Sequence, residues 1–168
     1  MFYNFSIIYF LLCIACRGLD FLSTYMVTPN LKLEANLIAK KLGWKMMAVL
    51  NLVLCFFSAY SLETTVIICT ASILVSGNNF GKGLISRGIG EEKSKKIFND
   101  ALKNLTVGII LIFTLSYGFV YIILGSVILY FASSLIVYYI AHGIIIFGIV
   151  IIIHMNISIF KKRKSLKT

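Results

Sequence analysis

The chain has 168 residues, 60% of them hydrophobic, with a mean hydropathy of +0.95 and a net charge of +10. Soluble domains run nearer about 45–50% apolar, so the composition excludes an ordinary soluble domain, and the length leaves no room for one beside a membrane bundle. Most of the 16 Lys and Arg cluster between and after apolar runs, where basic residues mark cytoplasmic loops and meet anionic headgroups; no aromatic-rich basic module accompanies them, so nucleic acid is not an expected partner.

At roughly 20 apolar residues per crossing, the expected fold is all-α. It is a single polytopic transmembrane helical bundle over 1–168, with five spans (alternatively four) and two short amphipathic interfacial helices. The spans are expected at about 5–27, 44–61, 64–79, 104–124 and 126–160, with cytoplasmic loops 28–43 and 80–103 and a basic tail 161–168.

In the first span, Cys13, Cys16, Arg17, Asp20, Ser23 and Thr24 are spaced by three and four and share one helical face. A carboxylate and a guanidinium at membrane depth cost several kcal/mol unless they are paired or line a polar cavity. The stripe is therefore expected to face the bundle, leaving Leu11, Ile14, Phe21 and Leu22 to lipid. No Lys or Arg precedes the apolar core of this segment, so it reads as a retained helix, not a secretory signal. Pro29 breaks the run. Residues 30–42 then read as an amphipathic helix with Leu31, Ala35, Ile38 and Leu42 on its apolar side, closed by Gly43.

One helix over 44–76 would be about 50 Å long, so a break is expected at 61–64, beside Glu63. Ala48, Asn51, Cys55 and Ser58 give the first half a small, polar face, and Thr65, Cys69, Ser72 and Ser76 do the same for the second. Residues 77–83 read as a flexible stretch; their glycines do not match a phosphate loop, because Gly83 stands where Ser or Thr is needed. Glu91 and Glu92 open a second amphipathic helix. The last segment, 126–160, exceeds one upright crossing and is expected to tilt, protrude, or break near His142 and Gly143. Placing the basic segments on one side makes this a multi-pass cell-membrane protein with a cytoplasmic C-terminus.

The candidate polar cluster comprises Arg17, Asp20, Ser23, Thr24, Glu34, Asn36, Lys45 and Asn51. Asp20-x-x-Ser23-Thr24, followed by Glu34-Ala35-Asn36, resembles a family of small uncharacterised prokaryotic membrane proteins. In that family an Asp-x-x-Ser/Thr helix precedes a Glu-x-Asn-Pro motif. The resemblance covers about residues 17–52 and singles out Asp20, Ser23, Thr24, Glu34 and Asn36; Leu37 stands where the family has proline. It implies a multi-span helical protein and supplies no activity. Cys13-x-x-Cys16 resembles the motif of disulfide-forming membrane oxidoreductases, but Cys55 and Cys69 lie in apolar segments, not in the aqueous loop a relay pair needs. His142 and His154 have no ligand at metal spacing, and no cofactor is expected.

Three functions follow. The first is a small solute- or ion-binding or transport-type protein that uses the cluster around Asp20. The alternative is a non-catalytic subunit of a membrane complex, with a membrane-protein partner or a second copy of the chain against the polar face. The second alternative is an intramembrane enzyme on a lipid or lipid-linked substrate, with Asp20 and Glu34 as its acid and base; no H-E-x-x-H or G-x-S-x-G signature supports it, so the reading leans away from an enzyme.

Overall fold

The computed structural model describes residues 4–31, 33 and 37–166. They form α1 (Ile7–Val27), α2 (Leu37–Ser58), α3 (Leu62–Ile89), α4 (Glu91–Asn104), α5 (Val107–Tyr130) and α6 (Leu135–Ser165). Among the described residues there is no strand. Among the described residues four helices are long and apolar enough to cross a membrane: α1, the Ala39–Ser58 part of α2, α5 and α6.

Four starts share one device. Ser6, Ser61, Thr106 and Ser134 sit in extended backbone, and their hydroxyls accept from the N–H three residues on. That satisfies one of the amide groups that no preceding turn can reach. α4 is entered instead through Gly90, at φ 86°, with Glu91 and Glu92 in its first turn and Lys103 in its last. Those charges complement the helix dipole.

The start of α1 meets the α2–α3 turn, where Ser6 N donates to Ala59 O at 3.0 Å. From there α1 and α3 run parallel: Arg17 meets Ser72, Thr24 meets Asn79, and Ser86 meets the end of α1 at Val27. α2 returns antiparallel beside them, with Asn51 against Arg17 and Trp44 against Phe21. α3 is the central helix, touching α1, α2, α4 and α6. α5 lies on α6, and their backbones touch: a Cβ on Gly148 would fall 2.7 Å from Gly118 O. α4, the segment after α1 and the basic end of α6 thus share one end of the molecule, with Lys162 over Phe98 and Asn30 bonded to Glu91.

Several expected boundaries move. α3 does not stop near 79; it continues through 77–83 to Ile89. The glycines there weaken helix propensity, but α1 lies along this stretch, and Asn79 and Ser86 bond to it, so packing overrides local preference. The break expected at 124–126 falls at 131–134 instead. Gly125 is a contact position, where a Cβ would lie 2.9 Å from Ala141 O, and Ser126 bonds back to Ile122 O within the helix. α6 runs unbroken through His142 and Gly143. Asn30 lies in a turn and Leu31 in a bend rather than in a helix. α2 starts at Leu37, and Gly43 (φ 70°, ψ 179°) interrupts it. The break beside Glu63 is present, immediately before Leu62.

A candidate polar site across three helices

Arg17 organises the site. Its Nη1 donates to Asp20 Oδ2 at 2.6 Å, one turn along α1, and reaches Ser72 Oγ of α3 at 3.4 Å. Its Nε donates to Asn51 Oδ1 of α2 at 2.9 Å, and Nη2 donates to the same oxygen. One guanidinium therefore ties α1, α2 and α3 together. The Arg17 and Asp20 side chains are 22% and 13% exposed, so these charge-assisted bonds are largely screened from the surroundings and stronger than neutral ones.

The polarity continues in both directions along the α1–α3 contact. One turn past Asp20, the buried Ser23 hydroxyl donates to Asp20 O at 2.8 Å. Asn79 Nδ2 donates to Ser23 Oγ at 3.3 Å and to Thr24 Oγ1 at 3.0 Å. At the end of α1, Ser86 Oγ donates to Val27 O and Arg87 Nε donates to Met26 O at 2.7 Å. Thr28 donates to Glu91 Oε1, and Asn30 Nδ2 donates to Glu91 Oε2 at 3.1 Å. Toward the other end, Cys13, Cys16, Cys55 and Cys69 converge from three helices into one buried cluster. There Ser58 Oγ sits 3.2 Å from Cys13 Sγ, and Thr65 Oγ1 donates to Ser58 O at 2.8 Å. The result is a seam of thiols, hydroxyls and amides along α1, a helix of about 31 Å, with the ion pair near its middle.

Of the residues expected in the cluster, Arg17, Asp20 and Asn51 come together, and Ser23 and Thr24 join them one turn on. Lys45 does not: it is exposed on α2, outside the cluster. Glu34 and Asn36 lie outside the described residues. Two members were missed. Ser72 carried a signal, its place on the small-residue face of α3, but a packing stripe does not reveal which hydroxyl meets a guanidinium. Asn79 was hidden because its segment read as a loop. All four cysteines are free thiols. Among the described residues no group of three or more His, Cys, Asp or Glu side chains is arranged to hold a metal ion.

The fold and site define, among the described residues, an all-α protein in which four helices are long and apolar enough to cross a membrane and three are clasped around an internal charged cluster. No family model, curated protein or solved structure matches the chain.

Proposed function

We propose that this is a small cell-membrane protein that binds or moves a small solute or ion, a proton above all, through the polar cluster around Asp20. The observation that supports this most is the Arg17–Asp20 pair, bonded across three helices within a polar seam that follows α1. Ionisable groups at membrane depth are costly and, where they occur, commonly mark ion or substrate pathways. A chain of hydroxyl, thiol, amide and carboxyl groups is chemistry suited to passing protons.

This reading takes α3 as a fifth span. Its length is about 42 Å at 1.5 Å per residue. Its polar residues Ser72, Ser76 and Asn79 are turned toward the bundle, while Ile73, Leu84 and Ile85 are exposed. That is the distribution a lipid-facing helix needs. Five spans put the basic end of the molecule, including the C-terminal tail, in the cytoplasm, against anionic headgroups.

Proteoliposomes under an imposed potential test the proposal. Wild-type protein should carry protons or a small ion above the protein-free leak, and Asp20→Asn should lose most of that flux. Correctly folded protein with no flux of protons, alkali cations or halides, and no solute binding, would sink it.

A second reading has one observation in its favour. All three guanidinium nitrogens of Arg17 are already bonded inside the bundle, as in a structural clasp of a non-catalytic subunit. That role predicts no flux, together with co-purification of a membrane partner or a second copy.

A further inference from the structure

Away from the seam, the end of the molecule formed by α4 and the tail of α6 gathers cations. The two helices cross with Leu102 packed on Ile159 and the Phe98 ring 4.5 Å beneath Lys162 Nζ. Arg163 lies one turn beyond Ile159, on the same face of α6. Its Nε and Nη1 are buried and meet no hydrogen-bond partner; nor do Ser94 Oγ and Asn99 Oδ1 of α4. Buried polar groups are nearly always satisfied, and each exception calls for an explanation such as a missing ion. Alongside runs a cleft of about 320 Å³ lined by Glu92, Lys95, Lys96, Asn99, Asp100 and Lys103. Counting Lys162 and Arg163 with the cleft's three lysines gives five cations against three carboxylates, those of Glu92 and Asp100 and of Glu91 in the first turn of α4. The surplus charge and the orphaned donors of Arg163 and Ser94 ask for an anion with several acceptor oxygens; Asn99 Oδ1, an acceptor, is not one of them.

We propose that the α4–α6 crossing is a phosphoryl-binding site, in which Arg163, Lys162 and Lys95 hold the anion and Ser94 completes its shell. A guanidinium fork fits phosphate oxygens in a bidentate manner, and ammonium groups add charge around it. The ligand is a phosphate ester or phosphate itself, supplied by an anionic phospholipid headgroup or from solution. The site is separate from the Arg17 cluster, so its fate does not depend on the transport proposal.

The full chain, delipidated in a neutral detergent, gives the test. Thermal unfolding is followed in inorganic phosphate against chloride at equal ionic strength. In parallel, the protein is passed through phosphatidylcholine vesicles with or without phosphatidylglycerol, and retained lipid is weighed by native mass spectrometry. Wild-type protein should show a phosphate-dependent rise in midpoint, selective retention of phosphatidylglycerol, or both. Retention without a phosphate response identifies the lipid as the source; the reverse identifies a soluble phosphate. Arg163→Gln combined with Lys162→Gln should weaken either response at least about tenfold. Lys161→Gln combined with Lys164→Gln removes the same charge from the exposed side of the same turn and should leave it intact. Equal losses in the two pairs would mean diffuse attraction and overturn the site. If the first pair fails to fold, the wild-type arms decide: no midpoint change and no selective retention overturn it.

Discussion

Replacing Arg17 with Met keeps the bulk of the side chain and removes every bond it makes to Asp20, Asn51 and Ser72. The dominant loss is the counter-charge of a carboxylate that is 13% exposed. Breaking a buried pair from one side costs roughly 3–5 kcal/mol; the partial exposure of Arg17 points to the lower end of that range. The contact to Ser72 is a minor contributor: at 3.4 Å it is long, and interhelical hydrogen bonds in membranes average about 0.6 kcal/mol. So Ser72→Ala should cost well under 1 kcal/mol, while Arg17→Met costs several times more. Combining Arg17→Met with Asp20→Leu should recover much of the loss, because an apolar replacement for a whole buried pair is often neutral. Denaturation in mixed micelles gives these numbers. The chain has a single tryptophan, and Trp44 packs 4.9 Å from Phe21 and 5.3 Å from Tyr25, so its fluorescence reports separation of α2 from α1. If Arg17→Met stays within about 0.5 kcal/mol of wild type, or the double variant is no better than the single, the clasp does not hold the three helices.

The same assay checks the helix contacts. Gly148→Ala should cost about 1–3 kcal/mol, since its methyl would meet Gly118 O at 2.7 Å. Gly77→Ala has open space around the new methyl and should gain roughly 0.5–1 kcal/mol if 77–83 is helical; no gain would restore the loop. Ser134→Ala removes the acceptor for Val137 N and should cost about 1 kcal/mol. All four thiols are buried, so a maleimide should label none of them in folded protein and all of them after denaturation; rapid labelling of the native state would contradict the cysteine cluster.

Much of α1 was legible because its chemistry is written at helical period. Cys13, Cys16, Arg17, Asp20 and Ser23 repeat every three or four residues, and burial at membrane depth needs no knowledge of the partner. Asn51 was legible for the same reason, as a polar residue on a face of small ones. What stayed hidden depends on register between helices. Ser72 meets Arg17 and Asn79 meets Thr24 only because α1 and α3 lie parallel at one axial offset, and local periodicity does not encode that offset. The end of α5 failed differently. The span boundary expected at 124–126 falls where glycine serves a close helix contact: Gly125 admits the backbone of α6. The tail of α6 read as a simple topological signal, and its orphaned guanidinium emerges only when α4 folds across it.

The most direct test is a nitroxide scan of α1 in lipid, comparing collision with oxygen and with a water-soluble nickel chelate. Leu19 is 46% exposed and Cys16 only 6%. Spin labels at 11, 19 and 22 should therefore show high oxygen accessibility, and labels at 13, 16, 20 and 23 low accessibility to both reagents. A label at position 20 as open to oxygen as its neighbour at 19 would mean that the carboxylate faces lipid and that no sheltered polar cluster exists.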